Sequence, residues 1–162
     1  MLIADSCSII LLAKATLLEA AAETYKIAVT KDVLEEVTAG KKHMSADALL
    51  VERLYKERKL QIEAGEARIA QKLAKDFNMG LGEASTIAAA LKERCIVATD
   101  NRQGRKAAFI NSLPLVGSPE IAVSLWKKGK ITREKAKIAL NVLKKEGWFD
   151  PYIIEKAMED LK

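Results

Sequence analysis

Short apolar runs of three or four residues alternate along the chain with longer stretches in which apolar positions recur every three or four residues. The first pattern is that of a buried strand, the second that of an amphipathic helix. The runs Met1–Ala4, Ile27–Thr30, Leu60–Ile62, Cys95–Ala98 and Leu113–Val116 predict five strands, the third of them a short edge strand. Helices are predicted over Ile9–Ala15, around Leu17–Thr24, and over Lys31–Thr38, Ala46–Arg58 and Glu66–Phe77. Ala84, Ile87, Ala88 and Leu91 lie on one face of a further helix, and Asn101–Lys106 opens another. Repeated β-α units predict an α/β fold in which a parallel sheet of about five strands is sandwiched by helices.

The end of the chain reads differently. Ser118-Pro119-Glu120 combines a capping serine, a proline in the first helical turn and an acid, a strong helix start. Thr132 begins a second helix, and Gly147-Trp148-Phe149-Asp150-Pro151 separates it from a third. There Asp150 is placed to cap, Pro151 to begin the helix and Phe149 to staple onto Ile154. The organisation expected is an α/β domain over residues 1–130 and a helical hairpin over 131–162 packed on it.

Composition narrows the picture. Of 162 residues, 49% are apolar, ample for a core in one domain. No apolar run approaches membrane-spanning length and the first residues carry no basic leader, so a cytoplasmic protein is expected. Cys7 and Cys95 lie far apart without CxxC or histidine partners, which argues against zinc and disulfides and for small buried apolar roles. The single histidine, His43, sits among lysines in Gly40-Lys41-Lys42-His43 and reads as an exposed loop residue. Twenty-seven basic residues against 22 acidic give a net charge of +5, part of it in Lys127-Lys128-Gly129-Lys130 and Lys144-Lys145. This balance suits a polyanionic partner and equally a solvated lysine-rich surface.

The candidate chemistry lies in acids that the topology brings to one edge. Asp5 and Asp100 stand where predicted strands end, and Glu83 opens a helix arriving from the same edge, where open α/β sheets place their sites. Asp5 is also a natural helix N-cap. Glu35 and Glu36 follow the second strand by about one and a half helical turns. Adjacent helical residues point about 100° apart, and with Val33 and Val37 flanking it Glu36 is the one that faces the strand ends. Hard divalent cations take oxygen ligands of this kind, and a phosphodiester is the matching substrate. Gly80-Leu81-Gly82 follows a helix rather than a strand, and no GxxxxGK[ST] or GxSxG motif occurs. Nucleotide-loop and serine-esterase chemistry therefore lack their parts.

In order along the chain, Ile3-Ala4-Asp5-Ser6, Val33-Leu34-Glu35-Glu36-Val37, Leu81-Gly82-Glu83-Ala84 and Ala98-Thr99-Asp100-Asn101-Arg102 resemble the motifs of the PIN-domain family. The resemblance covers essentially the whole length. Leu125 to Gly129 and the terminal hairpin look like one PIN-like branch in particular. The resemblance implies a three-layer α/β/α sandwich, a Mg2+- or Mn2+-dependent endoribonuclease site and often a toxin role in a toxin–antitoxin pair. RNA would be the substrate, a small antitoxin protein a partner, and a homodimer the common assembly. Carried over residue by residue, Asp5, Glu36, Glu83 and Asp100 form the catalytic, metal-holding site, with Ser6, Thr99 and Asn101 as supporting polar groups. Glu83 stands where toxin members often carry aspartate, and Asn101 where relatives of this branch commonly carry a second acid. Arg102, Arg105 and Lys106 beside Asp100 are candidates for gripping substrate phosphate; the plainer reading is that they neutralise the acids or face solvent.

Three functions compete at this point. A metal-dependent endoribonuclease, in which all four acids converge on one ion, leads. A non-catalytic nucleic-acid-binding module of the same fold is the alternative. A DNA-binding helix-turn-helix made by the terminal hairpin ranks last, because its turn is built for two stapled antiparallel helices.

Overall fold

The structure, a computed structural model, describes residues 1–39 and 45–162, so the His43 loop lies outside the described residues. The chain alternates strands and helices from its first residues. β1 (Leu2–Ala4) is followed by α1 (Ser6–Lys14) and α2 (Leu18–Thr24), and β2 (Ile27–Val29) by α3 (Lys31–Thr38) and α4 (Ala46–Lys56). β3 (Leu60–Ile62) leads into α5 (Ala67–Phe77) and α6 (Leu81–Glu93), and β4 (Ile96–Ala98) into α7 (Arg102–Ile110). β5 (Leu115–Val116) precedes α8 (Ser118–Lys127), α9 (Arg133–Glu146) and α10 (Pro151–Glu159).

All four strand pairings are parallel, and the order across the sheet is β3-β2-β1-β4-β5. β3 is an edge strand, as its half-exposed pattern foretells. The chain winds outward from β1 through β2 to β3, then returns to the other side of β1 to lay down β4 and β5. Strand order therefore reverses between β1 and β4, and a crevice opens at their carboxyl ends.

Strand periodicity divides the interior into two cores. Leu2, Ala4, Ile27, Val29 and Ala98 face one of them, with Leu12, Val33, Leu54, Leu125, Leu140 and Ile154 from the helices that cover it. Ile3, Ala28 and Val97 face the other, beneath α5, α6 and α7. Because both faces are covered, β1 and β2 are buried at every position. The result is the α/β/α sandwich. α6 runs through the second core with Ala84 to Ala90 all buried, and its small side chains let it lie close against α5 and the sheet.

The last two helices add to the first core. Ala136, Leu140 and Leu143 of α9 and Ile154 and Ala157 of α10 join the cluster that holds Leu12 and Leu17, and Lys14 pairs with Glu146 at 2.9 Å. Thr132 and Asp150 cap these helices, accepting from the Lys135 and Tyr152 N–H groups. Phe149 and Ile154 pack in the same cluster, as a staple requires.

Some boundaries differ from the periodic reading. α1 begins at Ser6 rather than Ile9, because the Asp5 cap starts the helix before its apolar face does. β5 is shortened to two residues, although the Pro114 carbonyl still accepts from the Val97 N–H at 2.9 Å. Ser118 is not the cap of α8. It is already helical, and Gly117 holds the cap position, its N–H donating to Glu120 Oε2 at 3.1 Å. The Ser118 hydroxyl is thereby free for another partner.

Candidate active site

Ala4 pairs with Ala98, and the Asp5 N–H donates to the Ala98 carbonyl at 3.1 Å. The residues that leave β1 and β4 therefore emerge side by side at the reversal point. Asp5 is 1% exposed. Its Oδ1 accepts from the Ser8 N–H at 2.8 Å, the capping bond of α1, and its Oδ2 accepts from Thr99 Oγ1 at 2.5 Å. One carboxylate oxygen caps α1 and the other is held by Thr99.

Asp100 is held as closely. Its Oδ1 accepts from the Ser118 N–H at 2.8 Å, and its Oδ2 accepts from Ser8 Oγ at 2.9 Å and from the Ser118 hydroxyl. Ser8 thus bridges the two aspartates, by its N–H to one and its hydroxyl to the other. The first turns of α1 and α8 point their free N–H groups and positive dipole ends at this pair. Burial pushes the Asp5 carboxyl up to about 6, against hydrogen bonds from Thr99 and Ser8 that pull it down, with the Asp100 charge adding to the rise. Asp100 is raised too, chiefly by desolvation, with its hydroxyl and N–H donors opposing.

Glu36 and Glu83 stand across the crevice. Glu36 accepts from Ser6 Oγ at 2.7 Å, and its Oε2 lies so close to α6 that a Cβ on Gly82 would meet it at 2.6 Å. A glycine at 82 leaves this carboxylate its place against α6. Of the two neighbours, Glu36 takes the Ser6 hydroxyl, whereas Glu35 approaches Lys31 at 3.6 Å. Glu83 is half-buried, and desolvation and the Glu36 charge raise its pKa while the Gly80 backbone opposes. These two acids line a shallow groove with Asp32, Glu35 and Gly82.

The four acids surround Cys7. Its half-buried thiol is pushed up to about 12 by burial first, then by the charges of Asp5, Asp100, Glu83 and Glu36 in turn. A thiol so placed stays protonated and is not a nucleophile. Cys95, also half-buried, packs on the second core.

The supporting groups divide. Thr99 and Ser6 each hold one of the acids, whereas Asn101 spends its side-chain oxygen on capping α7, accepting from the Gln103 and Gly104 N–H groups at 2.7 and 3.2 Å. Arg105 Nη1 donates to the Thr99 carbonyl at 3.3 Å, and Arg102 and Arg105 line a groove of about 390 Å³ that opens from Asp100. Lys106 is exposed and does not reach that groove. Ser8 and Ser118 hold Asp100 and were missed in the sequence. Ser118 stands two residues past the end of β5, at the sheet edge that Asp5 reaches one residue past β1.

The acids form two pairs rather than one ligand set. Among the described residues, no three His, Cys, Asp or Glu side chains stand together so as to hold a metal ion. Asp5 and Asp100 share Ser8 as donor on one side, Glu36 and Glu83 lie on α3 and α6 on the other, and the charges of all four reach the Cys7 thiol. The donor set still fits a hard cation. Every donor is oxygen, and none of the four acids is ion-paired among the described residues. One or two carboxylates suffice for Mg2+, which keeps several waters.

A family model described as a PIN domain matches residues 1–162. The chain belongs to the PIN-domain family, whose members are generally nucleases that act on nucleic acid and use divalent metal ions. No curated protein and no solved structure matches the chain. Among the described residues no helix is long and apolar enough to cross a membrane.

Proposed function

We propose that the protein is a Mg2+- or Mn2+-dependent endoribonuclease, the toxin of a toxin–antitoxin pair, with Asp5, Glu36, Glu83 and Asp100 as its acidic residues. The observation that carries the reading is the buried Asp5 beside Asp100, bridged by Ser8 at the strand reversal, with neither carboxylate in a salt bridge among the described residues. Buried carboxylates without a counter-charge are costly. Their raised pKa records that cost, and a divalent cation removes it.

In this reading Asp5 and Asp100 hold the ion, with Glu36 and Glu83 facing them across the crevice. A bound divalent ion would polarise a phosphoryl oxygen and acidify water for in-line attack. Thr99 and Ser8 keep the aspartates from turning away. Arg102 and Arg105 draw the phosphodiester toward the crevice by charge-assisted hydrogen bonds. Loading the ion requires the carboxylates to be ionised, so binding releases protons and weakens as pH falls through about 6.

The second reading, a PIN-like module that binds nucleic acid without turnover, is favoured by the separation of the acids into two pairs. An RNA cleavage assay with Mn2+ and with chelator separates them. Cleavage that chelator stops supports the nuclease; tight binding with no cleavage in millimolar Mn2+ supports the module. A small protein encoded beside this chain that binds it and blocks cleavage supports the toxin assignment.

A further inference from the structure

The groove that opens from Asp100 does not end at Arg102 and Arg105. Its far wall is the turn between α9 and α10, where Trp148, Phe149 and Ile153 line it. Through Arg105, Glu120 and Ile153 it continues into a second groove of about 390 Å³ between α8 and α10, lined by Lys127, Tyr152 and Lys156. Trp148 is fully exposed, at 103% of the reference area, and Tyr152 is 67% exposed. A tryptophan with both faces in water buries nothing and stabilises no fold, so its ring is free for a partner.

The charges on this path are unequally engaged. Asp100 is held by Ser118 and Ser8, Glu120 by the Gly117 N–H and Asp150 by the Tyr152 N–H, all turned to backbone or hydroxyl donors, and Asp160 is the fourth acid, at the α10 end of the path. Arg102, Lys127 and Lys156 enter no ion pair among the described residues. Free cations and a free aromatic face along one groove match a chain of phosphates with unpaired bases, since any base presents a π-face to stack while cations follow the backbone. A duplex keeps its bases stacked on each other and offers none to Trp148.

We infer that the α9–α10 turn and α8 form a nucleotide-binding extension of the site, in which Trp148 stacks an unpaired base of RNA. Arg102 and Arg105 hold the phosphate nearest Asp100, and Lys127 and Lys156 hold phosphates further along. The inference rests on the proposed ribonuclease reading for the position of the cleaved bond, and on the groove alone for binding.

The test is binding of a short single-stranded RNA to the full chain in chelator, followed by fluorescence anisotropy of the RNA and by tryptophan emission. Trp126 packs on the core, so emission quenched by RNA and absent from Trp148→Phe reports Trp148. Trp148→Ala weakens binding about ten-fold, the scale of one stacked base, while Trp148→Phe keeps most of the affinity. Lys127→Ala with Lys156→Ala lowers the salt dependence of binding by about 1.4 in log–log slope, at about 0.7 per single-strand phosphate contact. Unchanged affinity of Trp148→Ala, or equal Trp148-dependent affinity for duplex RNA, overturns the inference. Tight Trp148-dependent binding without cleavage in Mn2+ upholds this groove and overturns the nuclease reading.

Discussion

Two grooves open near the carboxyl edge of the sheet, and their linings differ. The one between α3 and α6 holds Asp32, Glu35, Glu36 and Glu83 with no basic residue among its lining. The one between the end of β4 and the α9–α10 turn mixes Arg102, Arg105 and Trp148 with Asp100, Glu120 and Asp150, and passes on to Lys127, Lys156 and Asp160. The first offers a polyanion no cation, whereas the second offers arginines, lysines and an aromatic ring among its acids. The aspartate pair lies between them, so one reaction centre would receive a cation from the acidic side and a nucleic acid from the other.

The largest effect expected is on the shared centre. Asp100→Asn lowers Mn2+-dependent RNA cleavage by more than the roughly hundred-fold that loss of a supporting contact costs. The fold survives, because an asparagine oxygen still accepts from the Ser118 N–H and its amide donates to the serine hydroxyls. Cleavage assays with circular dichroism melting measure both; full activity in this variant would detach the centre from both grooves.

Asp5→Asn separates charge from shape at the buried position. The folded pKa of about 6 exceeds the ordinary aspartate value of 3.8, so the native state binds more protons than the unfolded one between those values. Stability therefore falls as pH rises from about 4 to about 6, by about 3 kcal/mol for this group, and stays lower above that. Asparagine is as good a cap as aspartate. The variant should flatten this pH dependence and be more stable than the wild type at pH 7 in denaturant unfolding.

Mn2+ titration sharpens the contrast further. At a hundredfold excess over its Kd, an ion bound only to the native state adds about 2.7 kcal/mol of stability. The rise in Tm should be greater at pH 7 than at pH 5, where protons compete, and smaller in Glu83→Gln. Arg102→Ala should keep the Mn2+ response while binding RNA more weakly. An unchanged Tm in millimolar Mn2+ would remove the metal reading.

Gly82→Ala is the mildest change. The new Cβ meets Glu36 Oε2, the mobile end of an exposed side chain, so the carboxylate swings aside and stability changes by less than about 1 kcal/mol. The Mn2+ response should shrink if Glu36 contributes to it. Gly104→Ala makes a useful contrast, since there the Cβ meets the Thr99 hydroxyl, which is buried and committed to Asp5. It should cost about 1 to 3 kcal/mol, as overpacking in a filled interior does.

Much of this was legible in the chain. Hydrophobic periodicity located the strands and helices because each element must bury one stripe or alternate faces whatever its neighbours are. The acids were legible because a carboxylate directly after a buried strand is out of place unless something answers it. Glu36 could be chosen over Glu35 from Val33 and Val37 alone. Ser8 and Ser118 could not be read as holding Asp100, since serine near a helix start usually caps that helix and the alternative partner is remote in sequence.

By itself, then, the sequence determined the elements, their parallel arrangement, the acids at one edge and the stapled terminal hairpin, all consequences of local pattern. The strand order β3-β2-β1-β4-β5, the reversal beside Asp5 and Asp100, and the division of four acids into two pairs were decided only in the tertiary structure. So was the turn carrying Trp148 coming to wall the groove that leads from Asp100. Each of these depends on which buried surfaces fit together across tens of residues, and apolar side chains carry no address for their partners: the hydrophobic effect that drives them together is non-directional, and packing selects among the arrangements only once the chain is compact.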